Sequence, residues 1–413
     1  MDVMKNNCVS INKCRVSGSK DLIKVLDLGL QPLANSLKKK QFDQESKYPL
    51  TLSFCEKSSL LQLNETIKKE ILFDSYVWVT STSLTAKNYS EKFYNNINKS
   101  IQLDKENDLI IEIASNDGTF LKPFFRDGFK KVLGVDPAQN ISELANKVNI
   151  RTINDYWSKD LANKLKKEYG SAKLVFARNV IPHVSELNSV VSGVESILDE
   201  NGVGVFEIHD ANIIFNELHY DSVYHEHLCY FTLKSITYLL NKFNLYPFDI
   251  KRSPISGGSF VIYFSKKKQP QSKSLELEIA NEEKTKINNA NSWIKFANKA
   301  EKHKEEIKKI ISNFSDKRII GFGSSARSQT FLNFCGFDNN NLDLIIDNNP
   351  LKQNLYSPGT NIKIVNFETG IKSKPDIIFI LAWNFKDEII KECKSAGYQG
   401  NFIIPFPSTP KII

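Results

Sequence analysis

The chain has 413 residues, is 41% hydrophobic and 25% charged, and carries a formal net charge of +8; one core rarely supports that length, so two or three domains are expected. The basic excess lies in Lys- and Asn-rich stretches such as FSKKKQPQSKSLELE, with no basic stripe interleaved with aromatics, so nucleic acid is excluded as a partner. No apolar run nears the roughly 18 residues that span a bilayer, the N-terminus lacks a secretion signal's apolar core, and the six cysteines are too scattered for a disulfide framework. A cytoplasmic protein with no membrane partner is the expectation. In chain order, residues 1–85 carry short strand-like runs (VLDLGLQPLANSL, YPLTLSFCEKSSLLQL) and read as a small loop-rich module. Over 86–265, apolar strands (DLIIEIAS, KVLGVDP, KLVFARNV, GVGVFEIHD) alternate with helix-length segments, the rhythm of a mostly parallel sheet flanked by helices. Residues 266–315 place Ile, Trp, Phe and Ala at helical spacing and read as one or two connecting helices. From 316 to 413 the alternation resumes (KRIIGFGSSARS, LDLIIDNNP, DIIFILAWN), predicting a second, smaller α/β unit.

DLIIEIASNDGTFLKPFF ends a buried strand on Glu112 and turns through Ala114, Ser115, Asn116, Asp117 and Gly118 into a helix. Strand, short turn and helix N-terminus form a nucleotide cradle in doubly wound sheets. The next strand ends on Asp136, placed to accept bonds from two ribose hydroxyls. With one glycine the turn leaves no bare backbone for a pyrophosphate. A cofactor without phosphate fits better, and S-adenosylmethionine has none. The later Gly321–Phe322–Gly323 reads equally as a structural turn or a ligand contact.

Four of the six histidines, His209, His219, His225 and His227, cluster around YDSVYHEHLCYF. Read as an extended strand, this piece turns His225 away from Tyr224 and Glu226. A metal centre on His219, His225 and His227 lacks any carboxylate or Cys at a standard ligand spacing. His209 and His219 read as structural.

EIASNDGTFL, ARNVIPHV, YHEHLCYF, SGGS, GFGSSARSQTFLN, DNNPLKQNLYSPGT and ILAWNF follow VLDLGLQPLAN and FDSYVWVTSTS in this order. Together they resemble the S-adenosylmethionine-dependent C-methyltransferases that act on nucleotide-activated deoxysugars, over nearly the whole chain. The resemblance implies an α/β fold in three parts: a small N-terminal zinc-type module, a class I Rossmann-like methyltransferase domain, and a C-terminal Rossmann-like unit that helps hold the nucleotide-diphosphate sugar. It also implies the reaction. A base removes an acidic C-3 proton from a 4-keto-6-deoxysugar, and the enolate carbon takes the methyl. By the resemblance His227 is the base, Glu226 orients it or anchors a sugar hydroxyl, Tyr224 and His183 lie near the keto oxygen, and Tyr76 closes over the sugar. Glu112, Ser115, Asn116, Asp117, Gly118, Asp136 and Asn179 are the implied cofactor contacts. Arg327, Lys352 and Tyr356 are the implied substrate contacts.

The sequence departs from the resemblance at the zinc ligands. Two CxxC pairs are expected, but here they read Cys14–Ser17 and Cys55–Ser58. Serine hydroxyl is a poor zinc ligand and two thiolates rarely hold a structural zinc, so no zinc is expected. Ala114 stands where glycine is commoner, and GFGSSARS replaces a lysine-bearing run. The alternatives to C-methylation are O- or N-methylation of a sugar on the same fold, or a binding protein with a decayed site.

Overall fold

The computed structural model describes residues 7–73, 79–253 and 255–413. Its centre is a seven-stranded sheet in the spatial order Tyr246–Ser253, Ser259–Ser265, Leu198–His209, Ala172–Arg178, Leu109–Ile113, Lys131–Asp136, Thr152–Asn154. Five neighbouring strands run parallel and Ser259–Ser265 runs antiparallel to both of its neighbours. Leu109–Ile113 and Ser259–Ser265 are buried throughout, as strands covered on both faces must be, which is why they read as unbroken apolar runs. Strand order reverses between Leu109–Ile113 and Ala172–Arg178, so a crevice opens beyond their carboxyl ends. This is the class I methyltransferase arrangement, an α/β fold.

The C-terminal unit repeats the theme. Lys363–Val365, Leu344–Ile346, Ile319–Phe322, Ile377–Ile380 and Asn401–Ile404 lie parallel, with Lys411–Ile412 antiparallel at the edge. Two helices, Lys273–Thr285 and Ala290–Ser312, join the units. The longer one buries Trp293, Phe296, Ala300, His303, Ile307 and Ile311 on one stripe and packs against both the N-terminal module and the C-terminal unit.

The N-terminal module is an antiparallel sheet of Leu22–Pro32, Lys47–Cys55 and Leu60–Leu63. Its fourth strand is Cys229–Tyr230, supplied by the central domain directly after YHEH. That stitch fixes one end of the histidine segment against the module. Among the described residues, no helix is long and apolar enough to cross a membrane.

Candidate active site

The turn after Leu109–Ile113 holds three left-handed residues, Ala114 (φ 54°), Asn116 (φ 50°) and Gly118 (φ 74°). Such backbone is costly for residues with a Cβ, so its surroundings must impose it. Asp136 does so. Its carboxylate accepts from Asn116 N at 2.8 Å and from Ala138 N at 3.0 Å. At Gly118 a Cβ would lie 2.8 Å from Ile150 Cγ2.

Around this turn polar atoms face inward unpaired. Glu112 Oε2, Ser115 Oγ and Asn179 Oδ1 are buried without a hydrogen-bond partner among the described residues. Burial pushes the Glu112 carboxyl well above its ordinary range, against the Arg178 charge, and burial likewise raises Asp136. Buried polar groups are nearly always bonded, so orphans converging on a strand-end crevice mark a ligand position. The four side chains suit S-adenosylmethionine, with acceptors for amine and hydroxyl donors and no cradle for phosphate. Asn116 and Asp117 have another task. Asn116 Oδ1 accepts from Thr80 N at 2.8 Å and Asp117 Oδ2 from Ser81 N at 3.2 Å. They anchor the chain that follows Tyr76, which itself lies outside the described residues.

The YHEH segment is a turn rather than a strand, closed by His227 N donating to Tyr224 O at 2.9 Å. This corrects the extended reading, and the difference matters because a turn brings positions i and i+3 together. The Tyr224 and His227 rings lie 4.1 Å apart, and Tyr224 Oη is 2.7 Å from His227 Nε2. His227 Nδ1 is 3.2 Å from Ser222 O, and a carbonyl only accepts, so Nδ1 carries the hydrogen. In the neutral ring Nε2 is then the lone pair, accepting the Tyr224 hydroxyl. His183 stands edge-on to His227, rings 4.7 Å apart, and its Nδ1 donates to Glu226 O at 2.7 Å. Burial, with the charges of His183 and His209, pushes His227 well below its ordinary pKa; burial also lowers His183. The Glu226 carboxyl is buried and pushed up to about 7, against a 2.6 Å hydrogen bond from Asn35 Nδ2. His225 points the other way, Nε2 donating to Pro49 O at 3.0 Å, with Tyr48 edge-on to its ring. Burial pushes it down to about 4.

Near His227 lies the seam with the C-terminal unit, close enough for the Arg327 charge to act on the His227 ring. Arg327 Nε and Nη2 grip the buried Asp221 carboxylate at 3.0 and 2.9 Å, and Trp383 Nε1 donates to it at 2.9 Å. Burial opposes the Asp221 charge, yet Arg327 outweighs it and holds that carboxyl below the usual range. His209 and His219 flank the pair. Burial, reinforced by Arg327, pushes them to about 3 and about 4, and His219 packs on Trp383 at 4.5 Å. Lys352 sits on the C-terminal unit's own turn, its Nζ 2.7 Å from Ser324 O and 3.6 Å from Asp347 Oδ2. Tyr356 is placed elsewhere, exchanging two 2.9 Å backbone hydrogen bonds with Lys38 of the N-terminal module.

Asp221, Trp383 and Asn35 escaped the sequence reading. Each lies inside a quoted segment (YDSVYHEH, ILAWNF, LQPLAN), but their partners are 106, 162 and 191 positions away, beyond any local pattern.

The N-terminal cysteines do not fit zinc. Cys14 Sγ lies 3.1 Å from Ser58 Oγ, Cys55 Sγ 3.5 Å from Ser17 Oγ, and Ser17 N points at Cys14 Sγ at 3.4 Å. The four positions converge as ligands would, but two are hydroxyls already paired with thiols. Cys8 lies on a separate short strand pair, Cys8–Ser10 with Glu65–Ile67. Among the described residues, no three or more His, Cys, Asp or Glu are grouped to hold a metal ion.

Comparison with known proteins follows the same three parts. Residues 14–73 match a domain model described as zinc binding, 86–248 a methyltransferase domain, and 254–407 a C-methyltransferase C-terminal domain. The chain is 28% identical to C-methyltransferase NovU of Streptomyces niveus over 416 residues, 98% of this chain and 97% of that one. Two solved structures each resemble about half of the chain. The PH0226 protein of Pyrococcus horikoshii is 18% identical, with a TM-score of 0.37 over 48% of this chain and 98% of its own. Magnesium protoporphyrin IX methyltransferase of Synechocystis, with bound S-adenosylmethionine, is 10% identical, with a TM-score of 0.34 over 48% and 89%. Likenesses that loose add nothing to the assignment. Three domain matches in order from 14 to 407, with a cofactor turn of the matching chemistry, identify an S-adenosylmethionine-dependent C-methyltransferase.

Proposed function

We propose that the enzyme methylates C-3 of a nucleotide-linked 4-keto-6-deoxysugar through an enolate, with His227 as the base. The observation that carries this reading is the Tyr224–His227 couple: a neutral imidazole with Nδ1–H fixed on Ser222 O and Nε2 bonded to a phenol. Oxygen or nitrogen acceptors already hold a nucleophilic lone pair. A C–H acid needs both a base and a donor for the developing oxyanion. The couple supplies both when the Tyr224 hydroxyl moves from Nε2 to the keto oxygen. Nε2 then takes the C-3 proton, the C–H electrons form the C-3–C-4 double bond, and the negative charge collects on the oxygen. His183 stands edge-on beside His227, its own N–H engaged by Glu226 O. S-adenosylmethionine, held by Glu112, Ser115, Asp136 and Asn179 at the turn that Gly118 allows, supplies an electrophilic methyl. Bound there, it would give that methyl to the enolate carbon and leave as the thioether S-adenosylhomocysteine, after which His227 returns its proton to solvent.

Asn116 and Asp117 shape this site through residues 80 and 81, and Tyr76 closes over the sugar in this reading. Arg327 and Lys352 are proposed to hold the nucleotide diphosphate; Tyr356, clasped to Lys38 of the N-terminal module, stands apart from them. A cytoplasmic setting is proposed on the same grounds as in the sequence.

The test is incubation with a panel of nucleotide-linked 4-keto sugars in deuterated buffer, read by mass. Expected are deuterium at C-3 without the methyl donor and one added methyl with it. His227→Ala should lose both by at least about 100-fold, the usual scale of a general base. Full activity in that variant, or methylation at oxygen or nitrogen without exchange, overturns the reading.

A further inference from the structure

The LQPLANSL segment has no part in the chemistry above, yet it reaches Glu226 beside the Tyr224–His227 couple. Asn35 is exposed at the lip, and its Nδ2 donates to Glu226 Oε1 at 2.6 Å. The backbone around it is pinned on both sides. Leu33 and Ala34 are buried, and Ser36 N and Leu37 N fold back onto Leu33 O and Asn35 O at 3.0 Å each. Three residues on, the buried Lys38 exchanges backbone hydrogen bonds with Tyr356, and its Nζ bonds Asn361 and lies 3.5 Å from Glu45 Oε1. Glu45 in turn accepts from Gly359 N at 2.8 Å. The strap is therefore clasped to the C-terminal unit, and Asn35 is held where it meets the carboxylate.

We infer that Asn35 is a positioning residue for methyl transfer, fixing the Glu226 carboxylate at the mouth of the cleft. The inference rests on the reading that Glu226 anchors a sugar hydroxyl, since Ser222 O rather than Glu226 orients His227. A carboxamide N–H can only donate, so its bond favours the ionised carboxylate and a single orientation of it. Burial pushes Glu226 up to about 7, and Asn35 opposes that rise. The titratable neighbours are Tyr224, His225 and His227 on the same turn and His183, which bonds the Glu226 backbone. The strap adds Lys38 and Glu45, which are occupied with each other and with the C-terminal unit.

The experiment compares pH profiles of kcat/KM for the full-length wild type, Asn35→Leu and Glu226→Gln, with S-adenosylmethionine affinity measured by calorimetry. The wild type should show an acid limb near 7 that Glu226→Gln abolishes. Asn35→Leu should move that limb up by about one unit, the scale of a lost hydrogen bond to a charged group, and lower kcat about tenfold. Its cofactor affinity should stay within twofold, which a fold defect would not spare. If Glu226→Gln is impaired while Asn35→Leu keeps the wild-type limb and kcat, the positioning role is wrong. If Glu226→Gln itself matches wild type, the reading of the site fails and takes the inference with it.

Discussion

The molecule builds the same turn twice and uses it differently. In the central domain, Ser115 N donates to Val135 O, Asn116 N to Asp136 Oδ2 and Ala138 N to Asp136 Oδ1. In the C-terminal unit, Gly323 N donates to Ile346 O, Ser324 N to Asp347 Oδ2 and Asn349 N to Asp347 Oδ1. Residue for residue, the carboxylate at the end of the second strand ties down the turn after the first. The surroundings differ. Beside Asp136, Ser115 Oγ and Glu112 Oε2 are buried without partners among the described residues, whereas beside Asp347 the Lys352 ammonium bonds Ser324 O and neutralises the carboxylate. One turn is acidic with unpaired carboxylate and hydroxyl atoms, which suits the hydroxyls and positive charge of a sulfonium cofactor. Its twin has its carboxylate neutralised by Lys352 and leaves only the uncharged Gln329 Oε1 unpaired beside Ser324 among the described residues, which suits an anion rather than a cation. Fold alone would assign both turns the same ligand; the charge of the groups around each turn separates them.

Exchanging the damage between the twins is the sharpest way to break this comparison. Asp136→Ala should weaken S-adenosylmethionine binding by about 100-fold, the loss of one or two hydrogen bonds to a charged group. Asp347→Ala should leave that affinity within threefold. Calorimetry with the methyl donor decides it, and equal losses in both variants would erase the distinction. A smaller effect is expected from Lys352→Met. If the second turn faces the diphosphate, KM for the sugar nucleotide should rise about tenfold, the scale of one charged contact, with kcat and cofactor affinity within twofold. An unchanged KM would leave Lys352 as no more than the partner of Asp347.

Much of this contrast lies beyond the sequence, for physical reasons. Strands buried on both faces advertise themselves as apolar runs, and the one-glycine SNDG turn carries its own argument against a pyrophosphate, so the α/β class and the cofactor chemistry could be read directly. YHEH could be read as a cluster but not as a shape. Whether four residues extend or fold back depends on one hydrogen bond, His227 N to Tyr224 O, which leaves no mark in residue type. The stitch of Cys229–Tyr230 onto Leu60–Leu63 and the bond from Asn35 to Glu226 span most of two domains, and no periodicity reports such distances. The pairing of Lys352 with Ser324 and Asp347 is similarly silent, since a lysine on a loop is written alike whether it waits for phosphate or is already engaged.

The same criterion, applied to the N-terminal module, predicts an effect close to zero. Cys14, Ser17, Cys55 and Ser58 converge like zinc ligands, but each thiol already faces a hydroxyl, at 3.1 Å and 3.5 Å. The strands on either side are held by apolar burial, with Val16, Leu52, Phe54 and Leu60 almost fully enclosed. A module closed in this way gains nothing from a metal, so a strong chelator should leave the melting temperature of the wild type unmoved, and purified protein should contain no stoichiometric zinc. The double substitution Ser17→Cys with Ser58→Cys restores four thiols at positions that already converge. That variant should bind one zinc per chain and melt at a lower temperature once chelated, because binding to the folded state alone stabilises it. Zinc in the wild type would show that hydroxyls do ligate here; a quadruple-cysteine variant that stays metal-free would show that the four positions no longer stand as ligands must.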